Sequence, residues 1–251
     1  VVCLVFGVSA GHGALAAPMS DFVVMTKQAA LFTGGPDLVL AATGEQIGAQ
    51  ELGGWRVCVE VAGTAHNVAE DDAEAIQLAR DYLTYFPQNR HEPTPLGDLD
   101  DAGPRLTPEL LEVIPPNPRL PYDVRDVITA IVDDHRFFEV QPLYGSSITV
   151  GWAHLGGRAV AFVANNPSRG AGALDAAAAI KATDIIETAD TFGQPVIFLL
   201  DNPGVLAGSQ AERNGVLKWG GRMYLAGRRL RTPKISVLMR KGFGFGLVTM
   251  A

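Results

Sequence analysis

The sequence has no apolar run approaching the roughly 18 residues that a membrane-spanning helix requires. Its 251 residues, 47% of them hydrophobic, are therefore expected to bury their apolar side chains in cores of their own. Cysteine is scarce. Cys3 and Cys58 both sit in apolar, strand-like stretches and are expected to be buried thiols rather than a disulfide, the state a reducing cytosol favours. The opening residues are apolar but lack the basic start and cleavage site of a secretory signal. No initiating methionine opens the chain, and no closing element follows the glycines near its end, so an internal piece of a longer protein is expected. His66, His91, His135 and His154 have no metal-ligand spacing to one another or to the cysteines, and there is no Gly-X-Ser-X-Gly elbow. Neither metal nor serine chemistry is indicated. Acids are missing from Arg213 to Ala251, a stretch that holds nine of the 20 lysines and arginines of a chain whose net charge is −7. That asymmetry is either a solvated helix face or a local positive field for an anionic ligand or acidic partner. Nucleic acid is not the expected partner, because the basic residues have little aromatic interleaving and the rest of the chain is acidic.

Nine of the 16 prolines fall between Pro87 and Pro121. With Gly97, Gly103 and the acids at 98–101, this stretch cannot be a continuous helix or central strand; it reads as a linker, with a short helix at 107–113 and a domain boundary near Arg119. Before the boundary, residues 1–8 read as one strand and 73–85 as an amphipathic helix that Pro87 ends, with Glu70, Asp71 and Asp72 suiting its N-terminal dipole. After it, a helical pattern spans 122–133. Strands at 148–153 and 159–164 are joined by a turn at Gly156 and Gly157. A helix over 173–192 leads to a continuous apolar strand at 196–200, and a helix over 214–230 leads to a strand at 235–239. This alternation predicts an α/β fold.

A repeat links the two halves. Residues 2–13 lie over 235–246 without a gap, matching an apolar strand, a short turn and a Gly-X-Gly: Gly11, His12, Gly13 in one copy and Gly244, Phe245, Gly246 in the other. A strand that ends in Gly-X-Gly exposes consecutive backbone N–H groups to close approach, and a following helix adds positive potential. Such amides suit an oxyanion, including a thioester enolate, although a plain strand–helix turn has the same pattern. A dinucleotide fingerprint fits poorly, since Pro18 would interrupt the crossover helix and no acid ends the next strand. Asp201, Asn202, Pro203 and Gly204 follow a buried strand, where ligand sites of α/β sheets collect and where ordinary turns also occur.

These motifs, together with Phe32 to Pro36, Thr43 to Glu45, Glu51 to Gly54, Gly63 to His66, Tyr122 to Arg125, Gly151 to Ala153, Asn165 and Pro167, and Thr232 to Lys234, run in an order that resembles the carboxyltransferase (β) subunit of biotin-dependent acyl-CoA carboxylases along essentially the whole chain. The resemblance implies two crotonase-like α/β domains, both incomplete: residues 1–118 as the C-terminal part of the first domain with its linker, and 119–251 as the N-terminal part of the second. It implies transfer of CO2 from carboxybiotin, held on a separate carrier protein, to the α-carbon of an acyl-CoA. Gly11, His12 and Gly13 map onto one oxyanion hole and Gly244, Phe245 and Gly246 onto the other, with Asn202, Pro203 and Gly204 as cofactor-binding residues. The implied partners are acyl-CoA, a biotin carboxylase and biotin carrier (α) subunit, and further copies in a hexamer of facing dimers, in the cytoplasm or a mitochondrial matrix. The chain departs from the family pattern at His12, Phe245 and Val248, which stand where a glycine, a glycine and an acid are common. An acyl-CoA decarboxylase and a non-catalytic scaffold subunit are the rival expectations.

Overall fold

The computed structural model describes residues 1–97 and 106–250; the acids at 98–101 and Gly103 lie outside the described residues. The chain divides into two compact units, Val1–Leu83 with Gln141–Tyr144, and Thr84–Val140 with Gly145–Ala251. The division between these compact units falls after Leu83. The cause is aromatic packing at the head of the proline-rich stretch. Phe86 stands edge-on to Trp152 (4.8 Å) and Phe192 (5.1 Å), while Tyr85 stacks on His154 (4.9 Å), so the residues just before the stretch pack with the second unit.

The first unit is built on parallel strands. β1 (Val2–Val5) pairs with β3 (Phe22–Thr26), which pairs with β5 (Asn67–Ala69); β2 (Val8–Ala10) pairs separately with β4 (Ala30–Phe32). The single strand expected over 1–8 is thus two strands in two sheets, parted at Phe6 and Gly7. Every residue of β3 is buried, as the central strand of a covered parallel sheet should be. Helices α1 (Pro36–Thr43) and α2 (Ala49–Gly53) and a π-helix (Arg56–Val61) follow β4. α3 (Asp72–Leu83) buries Ala75, Ala79 and Tyr82 at helical spacing. Its start is capped, since Asp71 accepts from the Glu74 N–H (2.9 Å) and Glu74 reaches back to the Glu70 N–H (2.7 Å). Cys58 lies in the π-helix, where its Sγ donates to the Gly53 carbonyl (3.2 Å). Both cysteines are free thiols.

His66 in this unit accepts from the Val23 N–H through Nδ1 (2.8 Å), and burial lowers its pKa to about 4 against a smaller opposing pull from Asp21. A second proton would have to displace the Val23 N–H. Because the folded pKa lies below the usual 6.5, the unfolded chain binds more protons between pH 4 and 6.5, and stability should fall as pH drops through that window. The expected loss is on the order of 2 kcal/mol. Acid unfolding of wild type and His66→Gln followed side by side checks this; identical pH profiles would refute it.

The second unit carries a five-stranded mixed sheet in the order β10-β9-β8-β7-β6: Lys234–Gly242, Val196–Asn202, Arg158–Asn165, Ile148–Leu155 and Phe137–Val140. β8, β9 and β10 run parallel; β6, β7 and β8 are antiparallel. β7 and β8 form a hairpin closed by Gly156 (φ 58) and Gly157 (φ 72), the left-handed pair that a two-residue turn requires. The buried Asp133 carboxylate accepts both of their N–H groups, at 3.1 and 2.7 Å. One sheet face, with Val160, Phe162, Ala164, Ile197 and Leu199, packs on Tyr122, Val124 and Ile128 at the start of α5 (Val124–Ile131), to which the short α4 (Leu110–Val113) adds Leu110 and Val113. α6 (Ala176–Phe192) contacts β7 and β8. It begins three residues later than the sequence suggests, because Asp175 caps it by accepting the Ala178 N–H at 2.7 Å. α7 (Ser209–Arg213), α8 (Val216–Arg229) and α9 (Gly244–Met250) complete the unit. Ile235, Val237 and Leu238 of β10 are exposed.

Candidate active site

The two glycine turns fall in different compact units, and each opens on a left-handed glycine. Gly11 follows extended Ala10, has φ 58 and opens a 3-10 helix, Gly11–Ala16. Gly244 follows β10, has φ 53 and opens α9. Each strand is also irregular at the equivalent place: the break at Phe6 and Gly7 aligns with Met239 and Arg240, inside the register shift between Leu238 and Gly242. Both turns leave room for a ligand to approach the backbone. A Cβ on Gly244 would meet nothing within 4 Å, and one on Gly11 would come no nearer than 3.7 Å to the Thr33 carbonyl. His12 is exposed. Phe245 turns its ring onto Gly220 of α8, where an added Cβ would lie 3.1 Å from Cε1.

In the second unit the structure brings two of the sequence-predicted groups together. Gly246 is buried against the loop after β9. A Cβ there would lie 2.6 Å from Asn202 Oδ1 and 2.8 Å from the Gly204 backbone. Gly204 in turn has φ 118 and faces the Phe243 carbonyl. The loop is held from beneath by Asn165, whose Oδ1 accepts from the Asp201 N–H (3.2 Å) and Asn202 Nδ2 (2.9 Å), while its Nδ2 donates to the Gly172 carbonyl (3.1 Å). Asn202 Oδ1 accepts from the Gly204 N–H (2.9 Å), and the Gly204 carbonyl accepts from the Leu174 N–H (3.1 Å). Pro203 sits within this fixed loop. No sequence motif marks Gly172 and Leu174, because a left-handed Ala171 and Gly172 at a strand–helix junction is conformational information that residue types carry weakly.

Asp201 is fully buried and gathers the local charge. It accepts from Arg240 Nε (2.6 Å), Tyr122 Oη (2.9 Å) and the Lys241 N–H (3.2 Å), with Lys241 Nζ at 3.9 Å. Burial, reinforced by the Asp201 charge, raises the Tyr122 pKa well above its ordinary value, so the hydroxyl remains a donor. Arg240 lies over the Tyr122 ring (4.6 Å) and donates through Nη1 to the carbonyls of Pro115, Asn117 and Leu120. Part of the basic tract is therefore internal structure and not a solvated face.

No helix of the described residues is long and apolar enough to cross a membrane, and no cluster of His, Cys, Asp or Glu among them could hold a metal ion. The carboxyl transferase domain family matches residues 1–251. The chain is 35% identical over 244 residues to the mitochondrial propionyl-CoA carboxylase beta chain of Sus scrofa, covering 97% of this chain and 45% of that protein. It is 36% identical over 250 residues to the methylmalonyl-CoA carboxyltransferase 12S subunit of Propionibacterium freudenreichii subsp. shermanii, covering 99% and 47%. A transcarboxylase 12S crystal structure, described as a hexamer assembly with hydrolysed methylmalonyl-coenzyme A bound, superposes with a TM-score of 0.94 at 36% identity, over 99% of this chain and 48% of that one. The chain spans about half the length of the curated relatives it matches. Its α/β architecture is the crotonase-like one of carboxyltransferase domains. The chain belongs to the carboxyl transferase domain family.

Proposed function

We propose that the full-length protein is the carboxyltransferase subunit of a biotin-dependent acyl-CoA carboxylase, and that its two glycine turns supply the backbone donors of two oxyanion holes. The observation that carries this reading is the family match across all 251 residues, in a chain whose Gly-X-Gly turns repeat in sequence and each open on a left-handed glycine. Carboxybiotin, brought by a separate carrier, would supply the CO2, and its ureido nitrogen would serve as the base for the α-proton. The amides of Gly11, His12 and Gly13 and those of Gly244, Phe245 and Gly246 would be the donors to the two oxygens on which negative charge gathers, the thioester oxygen and the ureido oxygen. Donors fixed by the backbone before substrate arrives stabilise that charge without reorganising, which favours the transition state over the bound substrate. Asn202, Pro203 and Gly204, in the loop on which Gly246 rests, would be the cofactor-binding residues of the second turn. Residues 1–118 and 119–251 are then parts of the two carboxyltransferase domains. The expected assembly is a hexamer with a biotin carboxylase and biotin carrier subunit, in cytoplasm or mitochondrial matrix. Support for the assembly comes from the hexameric 12S relative.

The departure at Phe245 is compatible with activity, because its ring rests on Gly220. The full-length protein, given carboxylated carrier and a panel of acyl-CoAs, should yield a carboxylated acyl-CoA; no product from any would favour a scaffold role. In the same assay His12→Ala should lie within about threefold of wild type, since only its amide is used. A hundredfold loss there would instead make the imidazole the acting group.

A further inference from the structure

We infer that Asp201 is the positioning residue of the second glycine turn: its buried carboxylate, bound to Arg240, Tyr122 and the Lys241 amide, sets where the amides of Gly244, Phe245 and Gly246 point. The inference rests on the proposed function for its catalytic meaning and on packing alone for its structural one. β10 loses register with β9 between Leu238 and Gly242, so ladder pairing leaves 239–241 without partners and resumes only at Gly242, opposite Asn202. Arg240 and Lys241 lie inside that gap, and both are tied to Asp201. Asp201 stands at the end of β9, directly before Asn202 and two residues before Pro203, and Gly246 rests on that same loop through Asn202 and Gly204. One carboxylate thus fixes both the strand entering the turn and the loop beneath it. Arg240 extends the hold to the carbonyls of Pro115, Asn117 and Leu120. Side-chain exposures of 0% for Asp201 and 9% for Arg240 leave little solvent to replace or screen the pair. Donors to a developing oxyanion act only within a few tenths of an ångström of their required place, and a displacement of about 1 Å costs on the order of a hundredfold in rate.

The experiment compares wild type, Asp201→Asn and Tyr122→Phe in the full-length protein assembled with its biotin-carrying subunit, measuring kcat, KM for acyl-CoA and amide hydrogen exchange. Asp201→Asn is expected to lower kcat about ten- to a hundredfold with KM within about twofold, because binding elsewhere survives and alignment does not. Exchange should accelerate at 242–247 while α6 stays protected. Tyr122→Phe removes one donor and keeps the charge; a smaller loss, about threefold to tenfold in kcat, is expected, and it carries the test if Asp201→Asn does not fold. Unchanged kcat in the folded variants, or a fall in kcat/KM that lies wholly in KM, would overturn the inference. An inactive wild type would sink the proposed function instead, and the exchange of 242–247 would still decide whether Asp201 positions the turn.

Discussion

Gly246→Val in the full-length protein is expected to lower carboxyl transfer by at least about a hundredfold, the scale of losing one oxyanion donor. The steric argument is direct. The first added carbon would overlap Asn202 Oδ1 at 2.6 Å and the Gly204 backbone at 2.8 Å, and backbone atoms cannot swing aside as a side-chain tip can. α9 must therefore lift from the loop, carrying its amides with it, and overpacking of this kind typically destabilises by about 1–3 kcal/mol. Gly13, its counterpart in the repeat, meets only Ser9 Oγ at 3.4 Å, so Gly13→Ala should be much milder than Gly246→Ala. Steady-state rates per folded molecule, with folding followed by circular dichroism, make the comparison. Near-normal turnover in Gly246→Val would remove the second turn from the chemistry.

Lys181→Met is expected to change the pH dependence of stability above pH 7. Lys181 on α6 is 1% exposed, and burial lowers its pKa to about 7, with Glu139 and Asp175 opposing the shift and Arg125 adding to it. Between pH 7 and 10.5 the unfolded chain holds a proton that the folded chain has released. Wild-type stability must therefore rise with pH across that window, and the cost of burying the group is fully felt below pH 7. The difference between wild type and variant should shift by about 3 kcal/mol from pH 7 to pH 10. Urea midpoints for both proteins at several pH values test this, and parallel curves would show that Lys181 keeps its charge when folded.

What could be read from the sequence follows from which forces leave a periodic trace. The β7–β8 hairpin, β9 and the long α6 are legible because a Gly-Gly turn between two apolar runs, a continuous apolar run and an uninterrupted run of helix formers each leave a trace in neighbouring residues. The segment Arg56–Val61 misleads for the same reason: its Val-Cys-Val reads as strand, yet it winds as a π-helix with Cys58 and Val59 buried. α1 went unread although Pro36 opens it and a left-handed Gly44 closes it, signals that outweigh its weak apolar periodicity. Glycine turns at Gly11 and Gly244 were visible as motifs. The network that holds the second one was not, since Tyr122, Asp201 and Arg240 are separated by 79 and 39 residues and a buried ion pair has no spacing rule.

The Asp133-braced hairpin also bears on the order in which the second unit can assemble. Its two eight-residue strands meet across only Gly156 and Gly157, so their pairing closes almost no loop and can form in about 1–10 μs. β9 can join β8 in parallel only after the chain over 166–195 has crossed the sheet, and β10 only after that over 203–233. Non-local pairings of this kind are the slow steps of folding. The hairpin is thus expected to form first, with β9 and then β10 adding to it, and the turn at Gly244 is expected to be set only after both are in place.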